Sequence, residues 1–179
     1  MDTEPGKDPP VGVGAPYTRR ASRGTSMWYM GCLFTVLAAS EDTGGRFGLL
    51  EMVLPKAREP SRHLHRRDDE GFYVLEGNLT FYVGEEVHEA GPGAFVFLPH
   101  GVPHSYTLAT DEVRMLGIVA PGGLEGHFRD PRFAEPAESQ TLPPTPLEPQ
   151  DAAILEEMAE DLAGYDTEVV GPPGPPERR

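Results

Sequence analysis

Cysteine is nearly absent: Cys32 is the single one in 179 residues, which excludes an intrachain disulfide and any zinc cluster built on thiolates. Set in the apolar run from Trp28 to Ala39, it reads as a small buried hydrophobe. Basic residues are also scarce. Fifteen Lys and Arg stand against 29 Asp and Glu, a net charge of −14, and no Lys/Arg-rich run offers a track for a phosphate backbone. Nucleic acid is therefore not an expected partner. No apolar stretch reaches the roughly 20 residues needed to span a bilayer, and no basic segment leads into an apolar one at the N-terminus. No membrane association and a reducing, cytoplasmic address are expected. A helical hydrophobic period of adequate length is missing between residues 28 and 120, so the middle of the chain must be read as strands.

Glycine and proline are plentiful, 21 and 20 residues, together about 23% of the chain, which approaches low-complexity composition. At this length one domain is expected, with part of the chain unstructured. Residues 1–25 hold four prolines, four glycines and scattered charge. Little there can be buried to offset the entropy of ordering, and a disordered tail is expected. The acidity is uneven: residues 135–179 carry 11 Asp/Glu against two Arg, a net of −9, which leaves −5 for everything before.

From Trp28 the chain becomes a series of short apolar, β-branched and aromatic segments separated by turn residues: YMGCLFTVLAA, RFGLLEMVL, GFYVLEG, NLTFYVG, AFVFLP and VRMLGIVA. Glu76-Gly77-Asn78 is a tight hairpin signal and Gly91-Pro92-Gly93 another turn. At least seven short strands at close spacing predict a sandwich, jelly roll or barrel over residues 26–130. Residues 124–130 suggest a helical turn. Residues 131–149 hold six prolines and read as an extended strap. Pro149 to Leu162 then places Ile154, Leu155, Met158 and Leu162 at helical spacing, an amphipathic helix that packs on the barrel or on a second subunit. Its acidic polar face argues against a membrane. The end, GPPGPPERR, reads as frayed.

Four side chains carry potential metal chemistry: His63 and His65 in RHLHRRDDE, Glu70 in the same run, and His104 in PHGVPHS. On an extended strand, residues i and i+2 share a face, so His63 and His65 can converge on one ion. Glu70 follows the turn Arg66-Arg67-Asp68-Asp69, and an antiparallel neighbour strand is expected to bring its carboxylate to the same spot. His104 must arrive from elsewhere in the sheet. Histidines and a carboxylate without thiolate suit iron, nickel, cobalt, manganese, copper or zinc, and the affinity order does not choose among them.

The frame around these residues runs His-x-His-x4-Glu-x6-Gly from His63 to Gly77, and Gly-x5-Pro-x-Gly-x2-His from Gly93 through Pro99 and Gly101 to His104. It resembles the two signature motifs of the cupin family, a jelly-roll-type β-barrel superfamily. The resemblance implies an all-β single cupin barrel with a short C-terminal helix and disordered termini. It also implies one divalent transition metal per chain held by His63, His65, Glu70 and His104, with Gly77, Gly93, Pro99 and Gly101 shaping turns. Two positions depart from the pattern: Ala57 stands where the first motif opens with Gly, and Leu108 where the second often closes with Asn. Neither is a ligand position. Three imidazoles and one carboxylate leave the ion open, the mark of a catalytic site.

With Glu70 inward, alternation places Phe72 and Val74 inside and Tyr73 and Leu75 outside. Phe81, Tyr82, Phe95 and Phe97 add aromatic surface whose faces alternation does not assign. An apolar aromatic interior suits an aromatic or enolic ligand. The Arg66 to Asp69 turn reads as a solvated loop, and His88, His100 and His127 fall outside the ligand spacing. Over roughly 140 residues the chain looks like small bacterial single-domain cupins of the quercetin dioxygenase type. That likeness implies a dioxygenase whose partners are an aromatic small molecule such as a flavonol and dioxygen, with Glu70 as both ligand and catalytic base. An alternative is a redox-silent isomerase or cyclase acting on a polyketide-like or keto substrate, since a Lewis acid and a base suffice for enolisation. A non-catalytic sensor is disfavoured by the complete ligand set. A homodimer is expected, because exposed outer strands and the helix stripe leave apolar surface to cover.

Overall fold

The structure is a computed structural model and describes residues 13–22, 24–144 and 151–176. Among these, twelve strands form two antiparallel sheets. The first contains β1 (Ser26–Tyr29), β2 (Cys32–Ala38), β3 (Gly48–Pro55), β5 (Asp69–Glu76), β8 (Phe95–Leu98), β10 (Glu112–Ala120) and β11 (Ala134–Pro136). Its order is β11-β1-β2-β3-β10-β5-β8. The second contains β4 (Arg62–His65), β6 (Leu79–Val83), β7 (Glu86–Ala90), β9 (His104–Leu108) and β12 (Thr167–Gly171), in the order β12-β4-β9-β6-β7. The two inner faces meet in one core, as in a jelly roll.

Period-two patterning builds these layers. In β3, Leu50, Met52 and Leu54 are buried while their neighbours are half-exposed, and β10 does the same with Val113, Met115 and Val119. Phe72 from the first sheet lies 5.6 Å from Phe81 of the second, and Tyr106 meets Phe81 at 5.4 Å. Phe72 and Val74 are inside and Tyr73 outside, as alternation predicts. Phe81 is fully buried, whereas Phe95 and Phe97 stand on the outer face, 59% and 54% exposed, and do not line the interior. The hairpin at Gly77 requires glycine twice over: its φ is +82°, and a Cβ would sit 2.4 Å from the Glu112 carbonyl oxygen.

A one-turn helix, α1 (Ser40–Thr43), follows β2. Four residues are too few for a helical period to show. Its turn is held by Asp42, whose carboxylate accepts the Ala39 N–H at 2.9 Å and pairs with Arg19. The Tyr17 hydroxyl donates to the Leu37 carbonyl at 3.1 Å, so residues 17–19 lie against β2 and α1. Residues 1–12 of the expected tail lie outside the described residues. A 3₁₀ turn spans Leu124–Arg129, where a helical turn is expected.

The chain beyond residue 130 supplies one of the two outer strands of each sheet: β11 pairs with β1, and β12 with β4. The helix expected after the strap is α2 (Ala152–Gly164), capped by the Asp151 carboxylate, which accepts the Ala153 N–H at 2.8 Å. Its apolar stripe packs only in part: Met158 joins the core while Ile154 and Leu155 are 38% and 48% exposed. Near the C-terminus, the buried Ser105 hydroxyl donates to the Gly174 carbonyl at 2.6 Å. Among the described residues no helix is long and apolar enough to cross a membrane.

Candidate metal centre

The four predicted side chains converge. One ligand atom from each of His63, His65, Glu70 and His104 lies within 4.8 Å of every other. Alternation on β4 puts His63 and His65 on the inner face, and His104 stands directly opposite His63 on the adjacent β9. Glu70 arrives by another route than expected. Its strand, β5, is not the neighbour of β4 but belongs to the facing sheet, between β10 and β8. Residues 66–68 are therefore a crossover between layers, and the carboxylate meets the imidazoles across the interior.

Proton positions follow from the outer partners of the rings. His63 Nδ1 lies 2.7 Å from the Ser61 carbonyl and His104 Nδ1 3.0 Å from the Val102 carbonyl. Both carbonyls can only accept, so both Nδ1 atoms carry the proton. His65 Nδ1 lies 2.9 Å from the Thr167 hydroxyl on β12, whose own proton has the Tyr165 carbonyl 3.4 Å away. Each neutral ring then turns a bare Nε2 lone pair inward, the form in which imidazole binds metals.

That arrangement sets acceptors against each other. The Nε2 atoms of His65 and His104 stand 3.2 and 3.1 Å from Glu70 Oε2, yet neither makes a satisfactory hydrogen bond, and both are buried from solvent. Lone pairs facing a carboxylate in an apolar interior need a cation among them. Without a metal, a proton must serve. Burial pushes His65 down, but the adjacent Glu70 carboxylate more than reverses it and raises its pKa. Burial likewise opposes ionisation of Glu70, and the His104 and His65 rings override it, holding the carboxyl well below its usual range. His63 is pushed down to about 4, first by burial and then by the neighbouring His104. An N3O set of this kind could hold a divalent ion and fits no other role visible here.

The cluster opens into a cavity of about 470 Å³, a size that suits a small organic ligand. Phe34, Leu50, Met52, Phe72 and Tyr106 make its wall apolar and aromatic, and Met158 and Leu162 of α2 border it. Cys32 also faces it, but burial pushes its thiol up to about 12, so it stays protonated. The Arg66 and Arg67 side chains are exposed as expected and pair with Glu168 and Asp166. His88 and His100 are exposed, near Glu86 and Asp69 respectively. His127 differs from its reading as a bystander: it is fully buried, lines the cavity, and contacts Tyr29 and Asp161. Neither it nor Thr167 carries a motif signal, because each partner lies far away in the chain.

Residues 49–121 match the family model for the cupin domain. A quercetin 2,3-dioxygenase of Bacillus subtilis is 29% identical over 157 residues, covering 88% of this chain and 45% of that protein. One from Aspergillus japonicus is 27% identical over 71 residues, 37% of this chain and 20% of that protein. The chain thus spans less than half the length of these curated relatives. Among solved structures, the Streptomyces protein Pac13, described as a unique nucleoside dehydratase, superposes with a TM-score of 0.50 at 18% identity, covering 62% of this chain and 88% of that one. At that identity the likeness speaks to the fold alone. The motifs, the two-sheet architecture and these matches agree: residues 49–121 are similar to the cupin domain, and the chain resembles the Bacillus subtilis quercetin 2,3-dioxygenase along most of its length.

Proposed function

We propose that the cavity is the active site of a metal-dependent dioxygenase acting on an aromatic or enolic small molecule such as a flavonol. The observation that carries this reading is the inward-facing Nε2 set around Glu70 at the base of an apolar, aromatic cavity. His63, His65, Glu70 and His104 would hold one divalent transition metal. When bound, the ion supplies a Lewis acid for the enolic oxygen and a meeting point for organic ligand and dioxygen. Glu70 Oε2, kept ionised between the His65 and His104 rings, is the acceptor for the proton of the enol. The Phe34, Phe72 and Tyr106 rings orient a planar ligand and keep bulk water out.

The test is metal content of the purified protein followed by dioxygen consumption with quercetin. Near one transition metal per chain with stoichiometric uptake is expected. Bound metal without uptake would reassign the site to redox-silent enolisation, and failure to bind metal after reconstitution would sink the whole reading. His63→Ala and His104→Ala are each expected to weaken metal binding at least about tenfold while the barrel still folds. Glu70→Gln should retain part of the metal and lose turnover; unchanged turnover removes Glu70 from the base role.

A further inference from the structure

The cavity wall carries a second polar array that the histidine cluster does not use. Tyr29 on β1 and His127 in the 3₁₀ turn both line the cavity. The Tyr29 hydroxyl lies 2.8 Å from His127 Nε2, and His127 Nδ1 lies 2.6 Å from Asp161 Oδ2 on α2. The other Asp161 oxygen is paired with Arg132. No hydrogen bond found among the described residues joins this chain of groups to His63, His65, Glu70 or His104.

Its proton arrangement is determined from the outside inward. Asp161 is ionised: burial opposes this, but His127 and Arg132 hold its pKa down. A carboxylate only accepts, so His127 Nδ1 carries a proton. Burial lowers the His127 pKa against the pull of Asp161 and Asp130, with Arg132 adding to the lowering. The rings of Tyr29, Phe128, Phe133 and Tyr165 complete its surroundings. The imidazole is therefore neutral near pH 7, its Nε2 accepts, and Tyr29 must donate to it. With its proton committed, the Tyr29 oxygen offers a cavity ligand only lone pairs. In an apolar wall, such an acceptor selects a hydroxyl group.

We propose that Tyr29, His127 and Asp161 form a second ligand site in the cavity, which recognises a phenolic or enolic hydroxyl other than the one held at the histidine cluster. The ligand O–H donates to the Tyr29 oxygen while Tyr29 donates to His127 Nε2 and His127 Nδ1–H to Asp161, each proton staying on its own group. The substrate is accordingly a polyhydroxylated aromatic molecule, an inference that rests on reading the cavity as an aromatic-ligand site. Tyr29 is the group that touches ligand; His127 and Asp161 act through it.

Two titrations of the metal-loaded full chain test this. In the first, quercetin is compared with 3-hydroxyflavone, which keeps the enol and lacks the remaining hydroxyls. Wild type should prefer quercetin about tenfold, the worth of one good hydrogen bond. Tyr29→Phe and His127→Gln should erase the preference and leave 3-hydroxyflavone binding unchanged. In wild type the preference should also shrink as pH falls and His127 takes up a proton, while in Tyr29→Phe it stays flat. A preference that survives Tyr29→Phe, or an equal loss for both flavonols, overturns the proposal; the latter leaves the array a structural tie for α2. In the second, phenol and benzene are titrated while the His127 ring is watched by NMR. Phenol alone should move it, and only with Tyr29 present. If neither flavonol binds but phenol moves His127, the flavonol reading falls and the hydroxyl site stands. If phenol leaves His127 unmoved, the hydroxyl site falls.

Discussion

Thr167→Val tests whether the histidine cluster depends on a hydroxyl 102 residues along the chain from the ring it supports. Thr167 and His65 are 3% and 2% exposed and stand opposite each other in the β12–β4 pair. Valine keeps the shape and the strand pairing and removes only the acceptor. A ring held in its metal-binding form then buries an unpaired Nδ1–H, at a cost of about 1–3 kcal/mol. The metal-free protein has an escape. Its His65 can shift the proton to Nε2, which lies 3.2 Å from Glu70 Oε2, and set it against the carboxylate charge. The metal-bound state has none, because Nε2 is then the coordinating atom. The penalty should therefore fall on metal affinity, about 10- to 100-fold weaker, with little change in the melting of the metal-free protein. Chelator competition with zinc or cobalt measures the first and thermal unfolding the second. Thr35→Val is the control: Thr35 is equally buried, shares a hydrogen bond of 2.8 Å with Ser26, and sits on β2 away from the cluster. It should lower stability and leave affinity alone. Affinity within about twofold of wild type in Thr167→Val, or an equal loss in Thr35→Val, would refute the tautomer argument.

Gly77→Ala should destabilise far more than Gly101→Ala, by several kcal/mol against about 1, because a Cβ at Gly77 collides with backbone whereas at Gly101, with φ of +74°, it meets open space; equal losses in denaturant titrations would contradict this. The Arg19–Asp42 pair lowers the Asp42 pKa, chiefly through the hydrogen bond from Arg19 and against burial. A depressed carboxyl stabilises above its unfolded pKa near 4 and loses that contribution below it. Asp42→Asn should thus cost about 1–3 kcal/mol at neutral pH, with the gap to wild type closing as pH falls below about 4; a pH-independent gap would show that the charge is not what matters. The expected homodimer is proposed to bury the outer face of β5, β8 and β10, where Tyr73, Phe95, Phe97 and Ile118 stand exposed. Phe95→Glu combined with Phe97→Glu should then shift sedimentation to the monomer mass, and a monomeric wild type rules the dimer out.

What could be read from the sequence follows from the range of each physical signal. Period-two alternation is local, and it placed His63 with His65, and Glu70 with Phe72 and Val74, on inner faces. It is blind to which sheet a strand joins. A three-residue link between β4 and β5 suggests a hairpin, and the crossover that carries Glu70 to the facing layer leaves no trace in the pattern. The same blindness applies to Phe95 and Phe97, whose strand lies at a sheet edge with its aromatic side to solvent. Spacing within a motif found all four members of the cluster because three lie within eight residues of one another and the fourth sits in a recognisable turn frame. Single polar contacts lack such support: Thr167 meets His65, Tyr29 meets His127 across 98 residues, and Asp161 meets His127 across 34. All of these come from segments outside the motif frame, and two of them, β12 and α2, follow the proline-rich strap. The motif strands thus supply the groups that can face an ion, while the flanking segments set their proton positions and cover the cavity. Substitutions in β12, the 3₁₀ turn or α2 should therefore alter ligand choice and proton chemistry while leaving the ligand set intact, the division of labour expected when one barrel serves different substrates.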